Sequence, residues 1–341
     1  MKDSQAFQDS PNHTAEPDLH SQQADAISEK AVSSFPGMFI SLTTRLSAGW
    51  KRATSNTKAT AGGILILLFV LIAILGAVFI HTDPNAFSPD VLTPPSATHL
   101  LGTTQTGQDV LVQVIVGTRV SLLWGFLTGL IVTALSVTIG LVAGYTGGFI
   151  DDVLTFLINV FLVLPGFPLA VLLAAYIPVK GPFTVALVIA ATSWAYQARV
   201  LRAQTLSMRH RDFVEASKSS GERTWRIIFI EILPNEVAIV AAGFIGTTIY
   251  VILAAAGLEF LGLGDPNVVD WGTMFYWAQN NDALLLGAWW WYLAPGMCIA
   301  LLGTGLALLN FGIDEIANPR LRVERSLGKK MLKNLLLPVA S

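Results

Sequence analysis

Six long segments without charged residues or histidine constrain the fold of this 341-residue chain more than any other feature. A helix that crosses a bilayer takes about 20 apolar residues, and each segment is close to that length or longer. Charged residues make up 13% of the chain, against about 25% in soluble domains. The sequence therefore predicts an all-α membrane protein with six transmembrane helices, at approximately 61–80, 120–150, 153–179, 181–198, 237–258 and 283–313.

Basic residues are divided unequally between the connecting segments. All but two of the 21 Lys and Arg residues lie in the N-terminal tail, the loop at 199–235 or the C-terminal tail, the exceptions being Arg119 and Lys180. Because cytoplasmic loops are rich in Lys and Arg, six spans with both termini in the cytoplasm satisfy this distribution. The predicted organisation is a disordered cytoplasmic tail at 1–58, a transmembrane domain at 59–323 and a cytoplasmic tail at 324–341.

Glycine pairs in the second span indicate close helix packing. Gly125 and Gly129 are four residues apart, and so are Gly140 and Gly144. Small residues at this spacing allow two helix backbones to approach each other in a membrane. We therefore expect a second helix to pack against each pair.

The third span contains two prolines, and an acidic pair precedes it. Pro165 and Pro168 each remove a backbone hydrogen bond, so each is expected to kink the helix. Such a kink either lines a pathway or serves packing alone. Asp151 and Asp152 separate the second and third spans, and they are expected to form the turn of a helical hairpin.

The basic loop at 199–235 carries signals for helix ends. Asp212 stands three residues before Glu215, which is the spacing of a capping box with Asp212 as the N-cap. A short helix over 213–220 is expected to end at Gly221 in the left-handed conformation. A floppy, merely solvated loop would need neither signal.

A second helical stretch in this loop, over 223–232, is expected to stop at Pro234. Two short helices at an angle also occur in helix-turn-helix DNA readers. Both ends of this loop are tethered directly to predicted spans, which disfavours a role with nucleic acid.

The loop resembles the EAA motif of ABC-importer permeases, which reads Glu-Ala-Ala, then a glycine, then a segment that ends in Leu-Pro. Ser217 replaces the second alanine of the motif. The matching residues are Glu215, Ala216, Gly221, Leu233 and Pro234.

Further stretches resemble the dipeptide/oligopeptide/nickel branch of these permeases. Gln108 stands where that branch usually has Arg. The resemblance covers about residues 60–323 and fits the shorter, C-type permease subunit. It rests on 99–103, 107–111 and 117–122 before or within the second span, on 260–264 with Trp271 and Gly272, and on 318–322 near the C-terminus.

The resemblance implies a type I ABC importer permease fold in a bacterial or archaeal cytoplasmic membrane. Its implied partners are a second, B-type permease subunit, cytosolic ABC ATPase subunits, an extracytoplasmic solute-binding protein and the lipid bilayer. No cofactor is expected, because the chain lacks a Gly-x-x-x-x-Gly-Lys-Ser/Thr phosphate loop and ATP would be bound by partner subunits. The residues expected to couple the chain to the ATPase are Asp212, Glu215, Ala216, Ser217, Gly221, Leu233 and Pro234.

Acidic and aromatic residues dominate the segment at 259–282, which the predicted topology places outside. Aromatic residues there form either an interfacial belt or a short amphipathic helix at a periplasmic mouth. An ionisable group at a span's end, such as Glu259, is a candidate for function. The candidates for the pathway or its mouth are Pro165, Glu259, Trp271 and Trp277.

Other functions are less consistent with the sequence. The Gly-Leu-Gly-Asp that ends at Asp265 is also found in intramembrane aspartyl proteases, but that chemistry needs a second carboxylate, and their Tyr-Asp motif is absent. No catalytic residue is therefore assigned. A secondary transporter would be expected to show repeated halves. Among importer substrates, peptides and oligosaccharides both suit the aromatic residues, whereas the scattered His and Cys predict no metal site and disfavour nickel.

Overall fold

A computed structural model describes residues 56–317 of the chain, with the side chains of 314–317 excepted. The expected tails, and the motif at 318–322, lie largely outside these residues. The described part is helical, and its only β-type pairing is a single bridge between Thr103 and Asp109. The helices are α1 (Thr57–Phe79), α2 (Val110–Thr146), α3 (Gly148–Val163), α4 (Gly166–Tyr176), α5 (Pro182–Ser193), α6 (Ala195–Met208), α7 (Asp212–Ser219), α8 (Thr224–Phe260), α9 (Trp271–Asn280) and α10 (Trp290–Ala317).

Four helices, α1, α2, α8 and α10, are long and apolar enough to cross a membrane. Helices α3 and α4 make a fifth span if they are counted together, although the chain bends by 90° between them. The apolar helix α5 has only 12 residues. After a break at Trp194, helix α6 carries the chain past Arg199 to Met208. The all-α membrane fold is thus confirmed, while only four of the six predicted spans are single long helices.

The bend between α3 and α4 lies at Pro165, which is the N-cap of α4. Proline has no N–H to continue the hydrogen-bond ladder, so the helix ends there. Pro168 lies in the first turn of α4, where a backbone N–H has no partner within the helix. The expectation that Pro168 also kinks a helix is therefore wrong.

Two glycines, and no aspartates, form the turn between α2 and α3. Gly147 and Gly148 have φ angles of 68° and 58°, which glycine adopts without steric cost. The prediction that Asp151 and Asp152 form this turn is wrong, because the chain reverses before it reaches them. Both aspartates lie inside α3.

Each of the two glycine pairs of α2 packs against a second helix, as predicted. The two pairs contact different helices. A Cβ atom added at Gly129 would lie 2.5 Å from Oγ1 of Thr248 in α8. One added at Gly140 would lie 2.6 Å from the carbonyl oxygen of Ala198 in α6. Helix α2 therefore packs against α8 at its first glycine pair and against α6 at its second, nearer its C-terminus.

Two helix starts differ from the predicted spans. Helix α2 begins at Val110 because the Asp109 carboxylate accepts hydrogen bonds from the N–H groups of Leu111 and Val112. Helix α10 begins at Trp290, later than expected, because the preceding residues form turns in which Gly287 has a φ of 79°.

Candidate functional site

Helix α7 ends in the turn that the sequence predicted. Gly221 has a φ of 76°. Its N–H donates to the carbonyl of Lys218 at 3.0 Å, and the N–H of Glu222 donates to the carbonyl of Ser217 at 3.1 Å. These two bonds form a complete Schellman motif. Gly221 therefore fixes the direction in which the chain leaves α7.

The predicted capping box at the start of α7 is not formed. The helix starts one residue earlier than expected, with Arg211 as its N-cap, and no side chain caps it. The carbonyl of Arg211 accepts hydrogen bonds from the N–H groups of Val214 and Glu215. Asp212 is consequently inside the first turn, where Asp212 and Glu215 together place negative charge at the positive end of the helix dipole.

Pro234 does not end the second helical stretch of the loop, which is a further correction. Residues Ile227–Ile232 form a π-helical turn, in which the N–H of Leu233 donates to the carbonyl of Ile228. This wide turn leaves room for the proline ring and needs no N–H from position 234. Helix α8 therefore runs without interruption from the loop into the membrane-spanning segment.

One buried side chain anchors α7 to the rest of the protein. Val214 is fully buried and packs with Ile227 and Ile232 at the start of α8. The Lys218 ammonium lies 5.2 Å from the centre of the Tyr145 ring near the end of α2, a favourable cation–π contact. The position of α7 is thus tied to the C-terminal end of α2 and the N-terminal part of α8.

The opposite face of α7 and its flank are exposed. Glu215 and Ala216 face solvent. Two aromatic side chains of this region, Phe213 in α7 and Trp225 at the start of α8, are 38% and 56% exposed. Sequence analysis did not single out these aromatics, although a tryptophan within a basic loop could have drawn attention. The exposed surface of Phe213, Glu215, Ala216 and Trp225 is named the α7 surface below.

Polar contacts connect α6 to its neighbours close to α7. Arg202 donates from Nε and from its terminal amino group to the two oxygens of Asp151, at 2.7 and 2.9 Å. The hydroxyl of Thr205 donates to Oε1 of the fully buried Glu236 at 2.9 Å, and Oε2 of Glu236 has no partner among the described residues. Helix α6 is therefore held to α3 and to α8 by groups that a local sequence pattern does not reveal.

A cavity of about 550 Å³ lies where the α3–α4 bend, the α5–α6 break and the middle of α8 meet. Pro165 is at the bend that borders it. No charged residue belongs to its lining within the described part of the chain. The lining combines apolar side chains with six polar ones, which are Thr192, Ser193, Tyr196, Gln197, Thr247 and Tyr250. This space is named the central cavity below.

The predicted short helix over the aromatic segment is present as α9, and its N-terminus is fully capped. The Asp270 carboxylate accepts from the N–H groups of Gly272 and Thr273, and the Thr273 hydroxyl accepts from the N–H of Asp270. Trp271 is 1% exposed and packs edge-on against an aromatic ring of α1. Trp277 is exposed, and its indole N–H donates to the carbonyl of Pro266.

Glu259 is buried at the end of α8, against the carboxyl group of Asp270. Gly264 and Gly272 leave the space that its side chain occupies, since a Cβ added at Gly264 would lie 2.8 Å from Cγ of Glu259. Burial raises the pKa of Asp270. Asp265 instead accepts a hydrogen bond from the N–H of Asn267 in a turn.

In the segment that connects α1 and α2, the His99 side chain contacts two aspartates. Its Nδ1 lies 2.8 Å from Oδ2 of Asp109, and its Nε2 lies 3.4 Å from Oδ2 of Asp90. The hydrogen bond with Asp109 is the main reason that the pKa of His99 is raised. Gln108, which departs from the family pattern, immediately precedes Asp109 and accepts a hydrogen bond from Nε2 of Gln113 at 2.9 Å. Within 56–317, no cluster of His, Cys, Asp and Glu side chains is placed to hold a metal ion.

Comparison with known proteins agrees with these features. The family model described as "Binding-protein-dependent transport system inner membrane component" matches residues 136–323. The dipeptide transport system permease protein DppC of Bacillus subtilis is 34% identical over 80% of this chain and 85% of its own length. The oligopeptide permease protein OppC of the same organism is 30% identical over 80% of this chain and 90% of its own length. The glutathione transport system permease protein GsiD of Pectobacterium atrosepticum is 31% identical, with the same coverage as OppC.

These matches and the multi-pass helical fold define an integral membrane transport component. The chain belongs to the family of inner membrane components of binding-protein-dependent transport systems. The family that the motifs predicted, and with it the role of a permease subunit, is thus confirmed.

Proposed function

We propose that this protein forms half of the translocation pathway of an ATP-driven importer for peptides in a bacterial cytoplasmic membrane. The α7 surface carries the proposal, because it combines an anchored helix with an exposed, partly aromatic face. Three relatives are named for the transport of a dipeptide, an oligopeptide and glutathione. All three substrates are peptides, which favours peptides over oligosaccharides and nickel.

The proposed topology has six spans and cytoplasmic termini. The spans are α1, α2, α3 with α4, α5 with α6, α8 and α10. The distribution of Lys and Arg supports this arrangement, and so do the lengths of the four long helices. For the segments outside the spans, we retain the predicted cytoplasmic tails at 1–58 and 324–341 and assign the coupling role to the loop at 199–235.

The α7 surface is proposed to dock in a groove of the ATPase, with Phe213 and Trp225 as its anchors. Exposed aromatic side chains often contribute most of the free energy of an interface. Nucleotide-driven motion of the ATPase would shift α7 as a rigid element. Val214 would pass that shift to α8, and the Asp151–Arg202 and Thr205–Glu236 contacts would pass it to α3 and α6.

The remaining partners follow from the same assignment. ATP is bound by the ATPase subunits, since this chain carries no phosphate loop. A B-type permease completes the pathway, and a solute-binding protein delivers the peptide to the outer face, where Trp277 is exposed. The protein itself is proposed to have no catalytic residue and no cofactor.

Reconstitution tests this function. The purified chain alone should neither hydrolyse ATP nor accumulate solute in vesicles. With its B-type permease, ATPases and peptide-loaded binding protein, the vesicles should accumulate a labelled peptide at the expense of ATP. Competition by an oligosaccharide or by Ni²⁺, but not by unlabelled peptide, would assign another substrate. Accumulation by this chain alone, without ATP, would contradict the proposal.

A further inference from the structure

We propose that the central cavity is an intermediate substrate-binding site in the translocation pathway. This site binds the main chain of a peptide through uncharged groups. This inference rests on the function proposed above and specifies where, and by what chemistry, the permease holds its substrate. Its volume of about 550 Å³ lies within the roughly 300–1,000 Å³ of ligand pockets.

Two interruptions of helices meet at this cavity. Helix α4 starts at Gly166 with Pro165 as its N-cap, and no side chain caps it. The N–H groups of Gly166 and Phe167 consequently have no partner within the helix. Helix α6 starts after Trp194, also without a side-chain cap. At membrane depth, such interruptions occur where they line a cavity or are buried in protein.

The polar side chains of the lining retain free hydrogen-bonding groups. Thr247 and Tyr250 of the lining are accessible, and their hydroxyls have no hydrogen-bond partner among the described residues. Gln197 is only 6% exposed, and the one hydrogen bond of its amide is a 3.4 Å contact from Nε2 to the carbonyl of Ile239. Its Oε1 accepts from no described residue. A buried polar group without a partner costs free energy, which a ligand with matching groups would recover.

A peptide main chain has this matching chemistry. It offers N–H donors to an acceptor such as Oε1 of Gln197, and carbonyl acceptors to the hydroxyls of Thr247 and Tyr250. The terminal carboxylate of a peptide suits the N–H groups at the start of α4, because helix N-termini favour negative charge. Since no described lining residue is charged, the cavity should not discriminate strongly between acidic and basic peptide side chains.

Gly246 allows this site to be tested without disturbing the fold. It belongs to the lining, and a Cβ added there meets nothing within 4 Å. Gly63 in α1 also has no atom within 4 Å of an added Cβ and is not part of the lining. Gly63 therefore provides a matched control in a different helix.

The experiment uses Gly246→Cys and Gly63→Cys in a Cys298→Ser background, each reconstituted with all partner subunits. A bulky neutral thiol reagent is attached after assembly. Attachment at position 246 should abolish most peptide uptake, whereas attachment at position 63 should leave uptake unchanged. Complete attachment at position 246 with unchanged uptake would overturn the inference. Failure of the unmodified complex to take up peptide would instead contradict the proposed function.

The chemical class of the ligand that the central cavity binds is tested in the same complex. Peptide-loaded binding protein with ATP should slow the thiol reaction at position 246 and not at position 63. A peptide N-methylated at one main-chain amide should protect about fivefold less well, as expected for one lost hydrogen bond. Acidic and basic peptides of equal length should protect equally. Protection by a disaccharide instead of peptides, or equal protection by the N-methylated peptide, would overturn main-chain recognition.

Discussion

Helices α7 and α9 are both short and follow a loop, yet they differ in their capping and in how many of their side chains are buried. Helix α9 has a capping box, and its side chains Trp271, Met274 and Ala278 are buried in the protein core. Helix α7 has no side-chain cap, and of its side chains only Val214 is buried. A capped short helix is therefore not in itself a docking element. The exposed face of α7 is the feature that supports its proposed role in docking, whereas α9 is part of the protein core.

The largest effect is expected for the exposed aromatics of the two regions. Trp225→Ala should weaken binding of the ATPase by about 2 kcal/mol, roughly a thirtyfold rise in Kd, if Trp225 is a central anchor. Trp277→Ala, which removes an exposed tryptophan of α9, should leave that Kd unchanged. Titration of the ATPase onto the permease pair in nanodiscs measures both values. If the Kd of the ATPase were the same for the two variants, the α7 surface would not be part of the interface with the ATPase.

Two glycines with nearly the same backbone conformation sharpen the comparison. Gly221 after α7 has a φ of 76°, and Gly287 before α10 has a φ of 79°, each with open space around an added Cβ. Valine in the left-handed region costs about 1–2 kcal/mol, so Gly221→Val and Gly287→Val should lower stability alike. Peptide uptake should fall only for Gly221→Val, because that turn sets the direction of the chain beside α7. Loss of uptake in both variants would show that strain alone is responsible.

A smaller difference is expected at the two helix starts. Asp270→Ala removes the N-cap of α9 and should reduce the free energy of unfolding by about 1 kcal/mol. Asp270→Asn retains the acceptor and should cost much less. Asp212→Ala should cost less, about 0.3 kcal/mol from the lost interaction with the helix dipole, since Asp212 caps nothing in α7. Thermal unfolding of the three variants in one detergent tests this order, which a large effect of Asp212→Ala would reverse.

The smallest expected effect is on the local stability of the segment that connects α1 and α2, which should depend on pH. The pKa of His99 is raised by Asp109 and Asp90, so protonated His99 stabilises this region. That contribution is complete below the ordinary pKa of histidine and is lost as the pH rises through the raised value. Amide hydrogen exchange over 88–109, corrected for its intrinsic pH dependence, should therefore speed up from pH 6 to pH 9. The rise should be absent in His99→Gln, and an equal rise in that variant would exclude His99.

Local signals in the sequence were sufficient for several elements. Gly221 marked the end of α7 because only a left-handed residue closes a Schellman motif easily, and the paired glycines of α2 marked its contacts with α6 and α8. The prediction at Pro234 was wrong because a proline's effect depends on the turn before it, and a π-helical turn is not visible in local composition.

The contacts that join helices were not predictable in this way. Asp151 and Arg202 are 51 residues apart, and Thr205 and Glu236 are 31 residues apart. Asp151 was assigned to a turn and Arg202 lies in the basic loop, whereas nothing in the local sequence singled out Thr205 or Glu236. Their pairing depends on how α3, α6 and α8 pack, which the spacing along one helix does not determine.

Cross-linking tests the central claim, that α7 is the contact for the ATPase, most directly. Ala216→Cys places a thiol on the α7 surface, and Gly287→Cys places a matched thiol at an exposed turn before α10, both in a Cys298→Ser background. With a short thiol-to-amine cross-linker in the complete transporter, position 216 should yield a permease–ATPase adduct whose amount changes with ATP, and position 287 should yield none. An ATPase adduct from position 287, with none from position 216, would contradict the account.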